Sequence, residues 1–265
     1  MKIKFNGKDI DTQIKNSIDF FRQNSNNESD VWIVNGFATK DSYELKEGDE
    51  LFCIPKNTFP PKDALDAMMR SRHTPKLHDK LKACSVAVCG LGGLGSHIAI
   101  MLARSGVGRL NLIDFDVVEP SNLNRQSYMV DDLGKFKTEA LKEQISRINP
   151  FIGVCIHTRK IDECNIKDLF VLDDIVCEAF DSATAKAMLA QNFHKYFKDK
   201  ILICGSGLAG YGDSNSIQTR KIAHNFYVCG DLVNAAKVGN GLMAPRVNIC
   251  AGHQANLVLE LLAKG

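Results

Sequence analysis

The chain has 265 residues, of which 45% are hydrophobic, and 33 Lys and Arg against 31 Asp and Glu give a formal net charge of +2. This length allows one large or two modest domains with an ample core, and the balanced charge argues against the basic face of a nucleic-acid-binding protein. Nine scattered cysteines without framework spacing are typical of a reducing compartment. No apolar run is long enough to span a bilayer. We therefore expect a cytoplasmic protein without a nucleic-acid or membrane partner.

Residues 1–59 have the pattern of a small separate domain. Met1, Ile3 and Phe5 alternate with lysines, as the residues of a half-buried strand do. The Asn6-Gly7 pair predicts a hairpin turn into a second strand. The predicted elements are strands at 1–5, 8–11, 31–34 and 51–54, with a helix at 14–21.

The resulting order β-β-α-β-β, with Asn-Gly turns, resembles a ubiquitin-like β-grasp domain, in particular the sulfur carrier of thiamine biosynthesis. Working carriers of that family end in a free Gly-Gly, whereas this segment continues through Pro55, Pro60 and Pro61. We therefore interpret residues 1–59 as a carrier-shaped accessory domain that lacks Gly-Gly. Because paired prolines interrupt helix and strand alike, residues 60–84 are predicted to be a linker that includes a helix.

Residues 85–265 alternate between apolar strand patterns and amphipathic helix patterns. Such alternation predicts an α/β domain, with a mostly parallel, Rossmann-like sheet covered by helices on both faces. The predicted strands are 86–88, 110–113, 154–157, 175–180, 201–204 and 217–220, and the predicted helices are 96–104, 136–148, 168–172, 182–196 and 247–263.

A glycine-rich turn follows the first strand of this domain. Gly90, Gly92, Gly93 and Gly95 stand between that strand and a helix, where glycines let the backbone approach a phosphate and the helix amides face the anion. Asp114, at the end of the next strand, completes a plain dinucleotide-binding fingerprint, in which it would hold a ribose hydroxyl. Taken alone, this turn favours a nicotinamide dinucleotide, although some folds keep such a turn and bind nothing.

The residues after Asp114 form a longer motif, Asp114-Phe-Asp-Val-Val-Glu-Pro-Ser-Asn-Leu-Asn-Arg125-Gln126. It resembles the ATP-binding segment of the ThiF/MoeB family of ubiquitin-activating-like enzymes, and most closely the sulfur-carrier adenylyltransferases of thiamine biosynthesis. Four further segments resemble the same family in the same order, namely Gly-Lys-Phe-Lys137, Arg-Ile-Asn-Pro150, Cys-Glu-Ala-Phe-Asp181 and Gly241-Leu-Met-Ala-Pro245. The resemblance covers roughly residues 70–265.

The resemblance implies ATP and Mg²⁺ as cofactors and a role for each matching residue. It implies that Gly90, Gly92, Gly93 and Gly95 lie against the nucleotide, that Asp114 binds the ribose, and that Asn122, Arg125 and Lys137 surround the triphosphate. It also implies that Ser121 contributes to nucleotide binding and that Asp181 holds Mg²⁺. Adenylation needs such cations, because the attacking carboxylate and ATP are both anionic. One Asp together with ATP can supply the oxygens that Mg²⁺ prefers. No strong general base is needed, since a C-terminal carboxylate is ionised near neutral pH.

The family also uses an arginine from the partner subunit, and Arg72 or Arg70 would fill that role here, which implies a homodimer. Many relatives hold zinc with two Cys-x-x-Cys pairs, but this sequence has no such pair, so we expect no structural zinc. Some relatives form a covalent intermediate on a cysteine. Cys204 and Cys229 are the candidates here. Cys204 is expected to be buried, and Cys229, beside Gly230, is expected to be exposed.

These observations predict an adenylyltransferase that activates the C-terminal Gly carboxylate of a sulfur carrier ending in Gly-Gly, with a sulfur-donor protein as a further partner. The nearest alternative is the same chemistry on a molybdopterin carrier or in a tRNA-modifying dehydratase. Alternatives of other classes are an NAD-dependent oxidoreductase and a non-catalytic module that binds a carrier.

Overall fold

The computed structural model describes residues 1–25, 27 and 29–264, apart from the side chain of residue 63. The strands are β1 (Lys2–Phe5), β2 (Lys8–Asp11), β3 (Val31–Val34), β4 (Phe37–Ala38), β5 (Glu50–Ile54), β6 (Ser85–Cys89), β7 (Arg109–Ile113), β8 (Gly153–His157), β9 (Ile175–Glu178), β10 (Ile201–Gly205), β11 (Gln218–Ala223) and β12 (Phe226–Gly230). The helices are α1 (Ser17–Asn24), α2 (Lys62–Met69), α3 (Leu77–Lys82), α4 (Gly93–Ser105), α5 (Lys137–Ile148), α6 (Ile166–Leu169), α7 (Ala183–Tyr196) and α8 (Ala244–Lys264).

The chain divides into two compact units, Met1–Asp79 and Lys80–Gly265. The first unit contains a five-stranded sheet in the order β2-β1-β5-β3-β4, in which β1 and β5 are parallel and the other neighbours antiparallel. This mixed sheet with α1 packed against it is the predicted β-grasp architecture. The prediction missed β4, because a two-residue strand after a hairpin turn carries too little periodicity to detect.

Both faces of this small sheet are covered, because successive strand residues point to opposite faces. On one face, Phe20 and Phe21 of α1 pack with Trp32, and the Phe21 and Trp32 rings stack at 5.0 Å. On the other face, Ala67 of α2 packs with Ile33 and Phe52. The helix inside the predicted linker 60–84 therefore belongs to the core of the first unit, while a linker role for the remaining residues stays a prediction.

The second unit contains a seven-stranded sheet in the order β11-β12-β10-β9-β6-β7-β8. All neighbouring strands are parallel except the edge pair β11 and β12. Leu189 and Phe193 of α7 pack on one face of the sheet against Val176 and Leu202, and α4 lies between α5 and α8. The predicted Rossmann-like α/β fold is confirmed.

Two differences concern elements whose limits depend on their neighbours. The sequence did not predict β12, which aligns with β10 from the pair Leu202 and Phe226 onwards, so its partner defines its length. The strand predicted at 175–180 ends at Glu178. Glu178 pairs with Cys89, the last residue of β6, so the pairing ends there. None of the helices in the described part of the chain is long and apolar enough to cross a membrane.

Candidate nucleotide-binding site

The carboxyl ends of β6, β7 and β9 lie side by side at one edge of the large sheet, because these strands are parallel neighbours. Ligands of open α/β sheets bind outside this edge. Gly90 follows β6 with φ of +84°, a conformation that favours glycine. Helix α4 then begins at Gly93, and its N-cap Gly92 has no side chain to bond the first amides. The N-terminus of α4 is therefore available to an anion.

Two glycines of this turn allow close packing. A Cβ atom at Gly95 would lie 1.8 Å from the carbonyl oxygen of Gly90, and a Cβ atom at Gly93 would lie 3.0 Å from Val247 of α8. At Gly92 the nearest atom to such a Cβ is Nε2 of Gln126, at 3.9 Å. The space beside the turn is thus open at Gly92, and Gly93 and Gly95 hold the helix against its neighbours.

Asp114 directly follows β7 and is buried. Its Oδ2 accepts a hydrogen bond from the amide of Leu91 at 2.5 Å, and its Oδ1 accepts one from the amide of Asp116 at 2.8 Å. Burial raises the pKa of Asp114 above its ordinary value, and these bonds and the charge of Lys137 oppose the rise only in part. Each carboxylate oxygen has a second lone pair, so Asp114 can still accept from a ribose hydroxyl.

Arg125 lies in the loop between β7 and α5, beside the glycine turn. Its Nη1 donates to the carbonyl oxygen of Ser121 at 3.0 Å and to Oδ1 of Asn124 at 2.9 Å. Its carbonyl oxygen lies 3.1 Å from Nε2 of His97 on α4, so the loop is joined to the helix. Its Nε is buried without a partner among the described residues. Nη2 makes no hydrogen bond with the described residues, so this arginine keeps donors that a ligand could use.

The other cation is Lys137, the first residue of α5. It is buried, and its Nζ lies 2.9 Å from Oδ2 of Asp116. In the same loop, the side chain of Asn122 accepts from the amide of Glu119 at 3.1 Å, which caps a short 3₁₀ turn, and Ser121 is exposed. The sequence motif named Asp116 but assigned it no role. In the structure it connects the ribose-binding candidate Asp114 with Lys137.

Asp181 follows β9 at the same edge of the sheet. Its side chain is exposed and makes no hydrogen bond or ion pair with another described residue. Across the described residues, no three His, Cys, Asp or Glu side chains form a group that could hold a metal ion. A single free carboxylate nevertheless suits Mg²⁺, which proteins commonly bind through one or two carboxylates plus substrate phosphates and water. The residues present therefore fit Mg²⁺ bound together with a phosphate ligand.

Arg70 and Arg72, the two candidates for reaching the partner subunit's site, lie in the first unit. The Nη1 atom of Arg70 lies 3.1 Å from Oδ1 of Asp79, and Arg72 is exposed. The contribution of either arginine to a partner subunit stays a prediction.

The expectation for Cys229 is wrong, and that for Cys204 is confirmed. Both side chains are buried, Cys229 completely so, because β12 lies between β10 and β11 and is covered by Cys250 of α8. Burial raises the pKa of both thiols above the ordinary value. Since the thiolate is the reactive form of cysteine, neither residue has the setting of a nucleophile.

The sequence analysis missed an ion pair between a buried glutamate and a partly exposed lysine at the same edge of the sheet. Glu178, at the end of β9, is completely buried, and Nζ of Lys186 on α7 lies 2.8 Å from its Oε1 and 3.1 Å from its Oε2. Burial raises the pKa of Glu178, and the charge of Lys186 and its hydrogen bonds oppose that rise. A glutamate inside an apolar strand was a detectable signal, because a buried charge requires a partner.

Comparisons with known proteins agree with this geometry. Residues 66–265 match the ThiF family, and residues 1–57 match the ThiS-like ubiquitin domain. Since the first match covers more than half of the chain, the protein belongs to the ThiF family. The second match supports the β-grasp assignment of the first unit.

Three curated relatives and one solved structure indicate the range of this family. The chain is 31% identical to the molybdopterin-synthase adenylyltransferase of Escherichia coli, over 70% of this chain and 75% of that protein. It is 36% identical to the tRNA threonylcarbamoyladenosine dehydratase of Haemophilus influenzae, over 55% of this chain and 56% of that one. It is 37% identical to the probable adenylyltransferase/sulfurtransferase MoeZ of Mycobacterium tuberculosis, over 42% of this chain and only 28% of that protein's length.

The E. coli dehydratase TcdA in complex with ATP has a similar fold, with a TM-score of 0.67 and 21% identity, over 77% of this chain and 97% of that one. Two of these relatives are named as adenylyltransferases.

Proposed function

We propose that the protein uses ATP to adenylate the C-terminal Gly carboxylate of a separate sulfur-carrier protein, in the biosynthesis of the thiazole of thiamine. The observation that carries the proposal is the group of Asp114, Arg125, Lys137 and Asp181 beside the uncapped N-terminus of α4. It combines an acceptor for the ribose, two cations for phosphates and one free carboxylate. An NAD-dependent oxidoreductase would give no role to Arg125 or Asp181.

In the proposed reaction, an oxygen of the carrier carboxylate attacks the α-phosphorus of ATP. The bond from that phosphorus to the bridging oxygen breaks, and pyrophosphate leaves with the electron pair. Arg125 and Lys137 offset the repulsion between the two anions and the charge of the leaving group. Asp114 orients the ribose. Mg²⁺, held by Asp181 and phosphate oxygens, would supply further charge neutralisation.

The thiazole carrier is proposed as the acceptor because the fused first unit matches the ThiS-like ubiquitin domain. Sulfide-level sulfur from a donor protein would then attack the acyl carbon of the acyl-adenylate, the bond from that carbon to the phosphate oxygen would break, and AMP would leave with the electron pair to give a thiocarboxylate. The molybdopterin carrier and a modified tRNA are alternative acceptors, since relatives of both kinds are similar to this chain. The enzyme is proposed to be a homodimer in which Arg72 or Arg70 reaches the partner's site.

The test is ATP–pyrophosphate exchange with purified acceptors, namely a thiazole carrier and a molybdopterin carrier that both end in Gly-Gly, and a threonylcarbamoyladenosine tRNA. Exchange that depends on the thiazole carrier supports the full proposal. Exchange with only one of the other two acceptors would identify that molecule as the acceptor and would leave the proposed adenylation reaction unchanged.

Arg125→Ala and Asp181→Ala should each reduce exchange by about 100-fold or more, since each removes a group that stabilises charge in the transition state. Arg104→Ala and Asp168→Ala are matched controls, because both side chains are exposed on helices of the same unit, and they should retain activity. Carrier binding without exchange by a folded wild type would instead favour the non-catalytic carrier-binding module.

A further inference from the structure

The turn that carries Asp181 is held at both of its ends. Glu178 precedes the turn at the end of β9, and Lys186 follows it in the first turn of α7. The ion pair between them closes residues 178–186 into a ring. The Nζ of Lys186 also donates to the carbonyl oxygen of Gly205 at 2.8 Å, which joins the ring to β10.

The backbone of the turn takes part in the same network. The amide of Phe180 donates to Oε1 of Glu178 at 2.6 Å, and the amide of Ala179 donates to the carbonyl oxygen of Cys89 at 2.8 Å. The glycine turn packs on this segment, since a Cβ atom at Gly90 would lie 3.0 Å from both the carbonyl oxygen of Ala179 and a ring carbon of Phe180.

An ion pair that includes a completely buried carboxylate is an expensive way to stabilise a fold. Its desolvation often cancels its attraction, and apolar residues of similar volume commonly serve stability as well or better. This pair lies at the carboxyl edge of the sheet, where ligands bind, and its further hydrogen bonds join the amide of Phe180 in the turn to the carbonyl oxygen of Gly205 at the end of β10. Its location therefore points to a function in holding the geometry of the turn.

We propose that Glu178 and Lys186 are positioning residues, which hold the turn 179–182 so that Asp181 presents its carboxylate to the metal–nucleotide complex. The inference rests on the proposed function for what Asp181 binds, but the holding of the turn can be measured separately. It predicts that loss of the pair weakens metal-dependent nucleotide binding more than binding without metal.

The decisive variant is the double substitution Glu178→Gln and Lys186→Met in the full chain. It removes both charges together, so that no unpaired charge is left buried, and the glutamine can still accept from Phe180. Lys186→Arg keeps the charge and is the rescue variant. Lys195→Met is the matched control, because Lys195 is an exposed lysine of the same helix whose Nζ bonds to Asn192.

Two readouts apply to each folded variant. Hydrogen–deuterium exchange of the peptide covering 175–188 should be faster at the turn in the double variant, and unchanged in Lys195→Met. Titration of Mn²⁺ into the protein–ATP complex, followed by the signal of free Mn²⁺, should give a dissociation constant raised about tenfold or more, as the loss of outer-shell partners typically does. ATP binding in EDTA should stay within about twofold of the wild type, because the variant substitutes no residue of the glycine turn or of the α4 terminus.

The inference would be overturned if the double variant had the same hydrogen–deuterium exchange rate at the turn and the same Mn²⁺ affinity as the wild type. Faster hydrogen–deuterium exchange with unchanged Mn²⁺ affinity would also overturn it, since the pair would then be purely structural. If the wild type binds Mn²⁺–ATP no better than the Asp181→Ala variant, the metal-binding part of the proposed function fails. The hydrogen–deuterium exchange measurement would then still decide whether the pair holds the turn.

Discussion

At the scale of single residues, Cys229 illustrates how burial overrides sequence context. It stands next to Gly230 and Asp231, which suggested an exposed loop, yet it is completely buried and its pKa is raised by desolvation. Cys164, in contrast, is an exposed free cysteine. The chemical difference between the two thiols is therefore large and easy to measure.

We predict that Cys229→Ala keeps the rate of carrier-dependent ATP–pyrophosphate exchange within about threefold of the wild type, because a buried thiol with a raised pKa is a poor nucleophile. The check is the exchange rate together with maleimide labelling of the native protein mapped by mass spectrometry. Cys164 should be labelled and Cys229 should not. Loss of exchange in a variant of unchanged stability, or rapid labelling of Cys229, would contradict this prediction.

Asp231 is a second residue whose role emerges from its contacts. Its Oδ1 accepts from the amides of Val233 and Asn234, and its Oδ2 lies 2.5 Å from Nη2 of Arg246 on α8. Burial raises its pKa, but the hydrogen bonds from Asn234, Val233 and Arg246 outweigh burial and bring the pKa of Asp231 to about 2.

Because this pKa is lower than the value of about 3.9 expected in the unfolded chain, Asp231 adds stability above about pH 4. That contribution is lost as the pH falls towards 2. Between pH 5 and pH 3 the wild type should lose about 1 kcal/mol of unfolding free energy through this group, and Asp231→Asn should not. Urea unfolding at several pH values is the measurement, with Asp168→Asn as control. Parallel pH profiles of wild type and Asp231→Asn would refute the assignment.

At the scale of elements, the start of α4 depends on a close approach that only glycine allows. The hypothetical Cβ at Gly95 falls 1.8 Å from a backbone oxygen, which cannot move aside as a side chain can. Gly252 in α8 is also a helix glycine, but nothing lies within 4 Å of its hypothetical Cβ. The two positions therefore form a matched pair.

Gly95→Ala should destabilise the protein by about 3 kcal/mol, at the upper end of overpacking effects, and weaken ATP binding by distorting the turn. Gly252→Ala should stabilise it by about 1 kcal/mol, since alanine favours a helix over glycine. Denaturant unfolding and ATP titration of both variants provide the comparison. Similar effects at both positions would mean that helix propensity, rather than the close approach, governs Gly95.

At the scale of the whole molecule, the division between the units affects how the chain can be shortened. Ala67 of α2 packs on Ile33 and Phe52, so a deletion of residues 1–59 would leave an apolar helix face without its sheet. A deletion of residues 1–79 follows the division of the chain and removes α2 together with its sheet.

We predict that the 1–59 deletion is less soluble and more prone to aggregation than the 1–79 deletion, because it exposes apolar surface. Light scattering and thermal unfolding of the two proteins test this. Carrier affinity of the 1–79 deletion then tests whether the first unit contributes to carrier binding. Equal solubility of the two deletions would contradict the packing argument.

Much of the fold follows from local patterns. Alternating residues predicted β1, and the apolar runs predicted β6, β7 and β10 to within a residue or two, because side-chain periodicity depends on each segment alone. Element limits were less accurate. Helix α4 begins at Gly93 rather than 96, since glycines have no local preference for helix and only packing against the turn places them there.

Residue types at fixed spacings along the chain were enough to identify the glycine-rich motif, the β-grasp and Rossmann-like folds, and the family. Three other features became visible only in the folded chain: the burial of Cys229, the place of α2 in the first unit, and the pairing of Glu178 with Lys186 across the Asp181 turn. All three have one cause. Burial and ion pairing depend on which segments are in contact in the folded chain, and local propensity carries no information about those contacts.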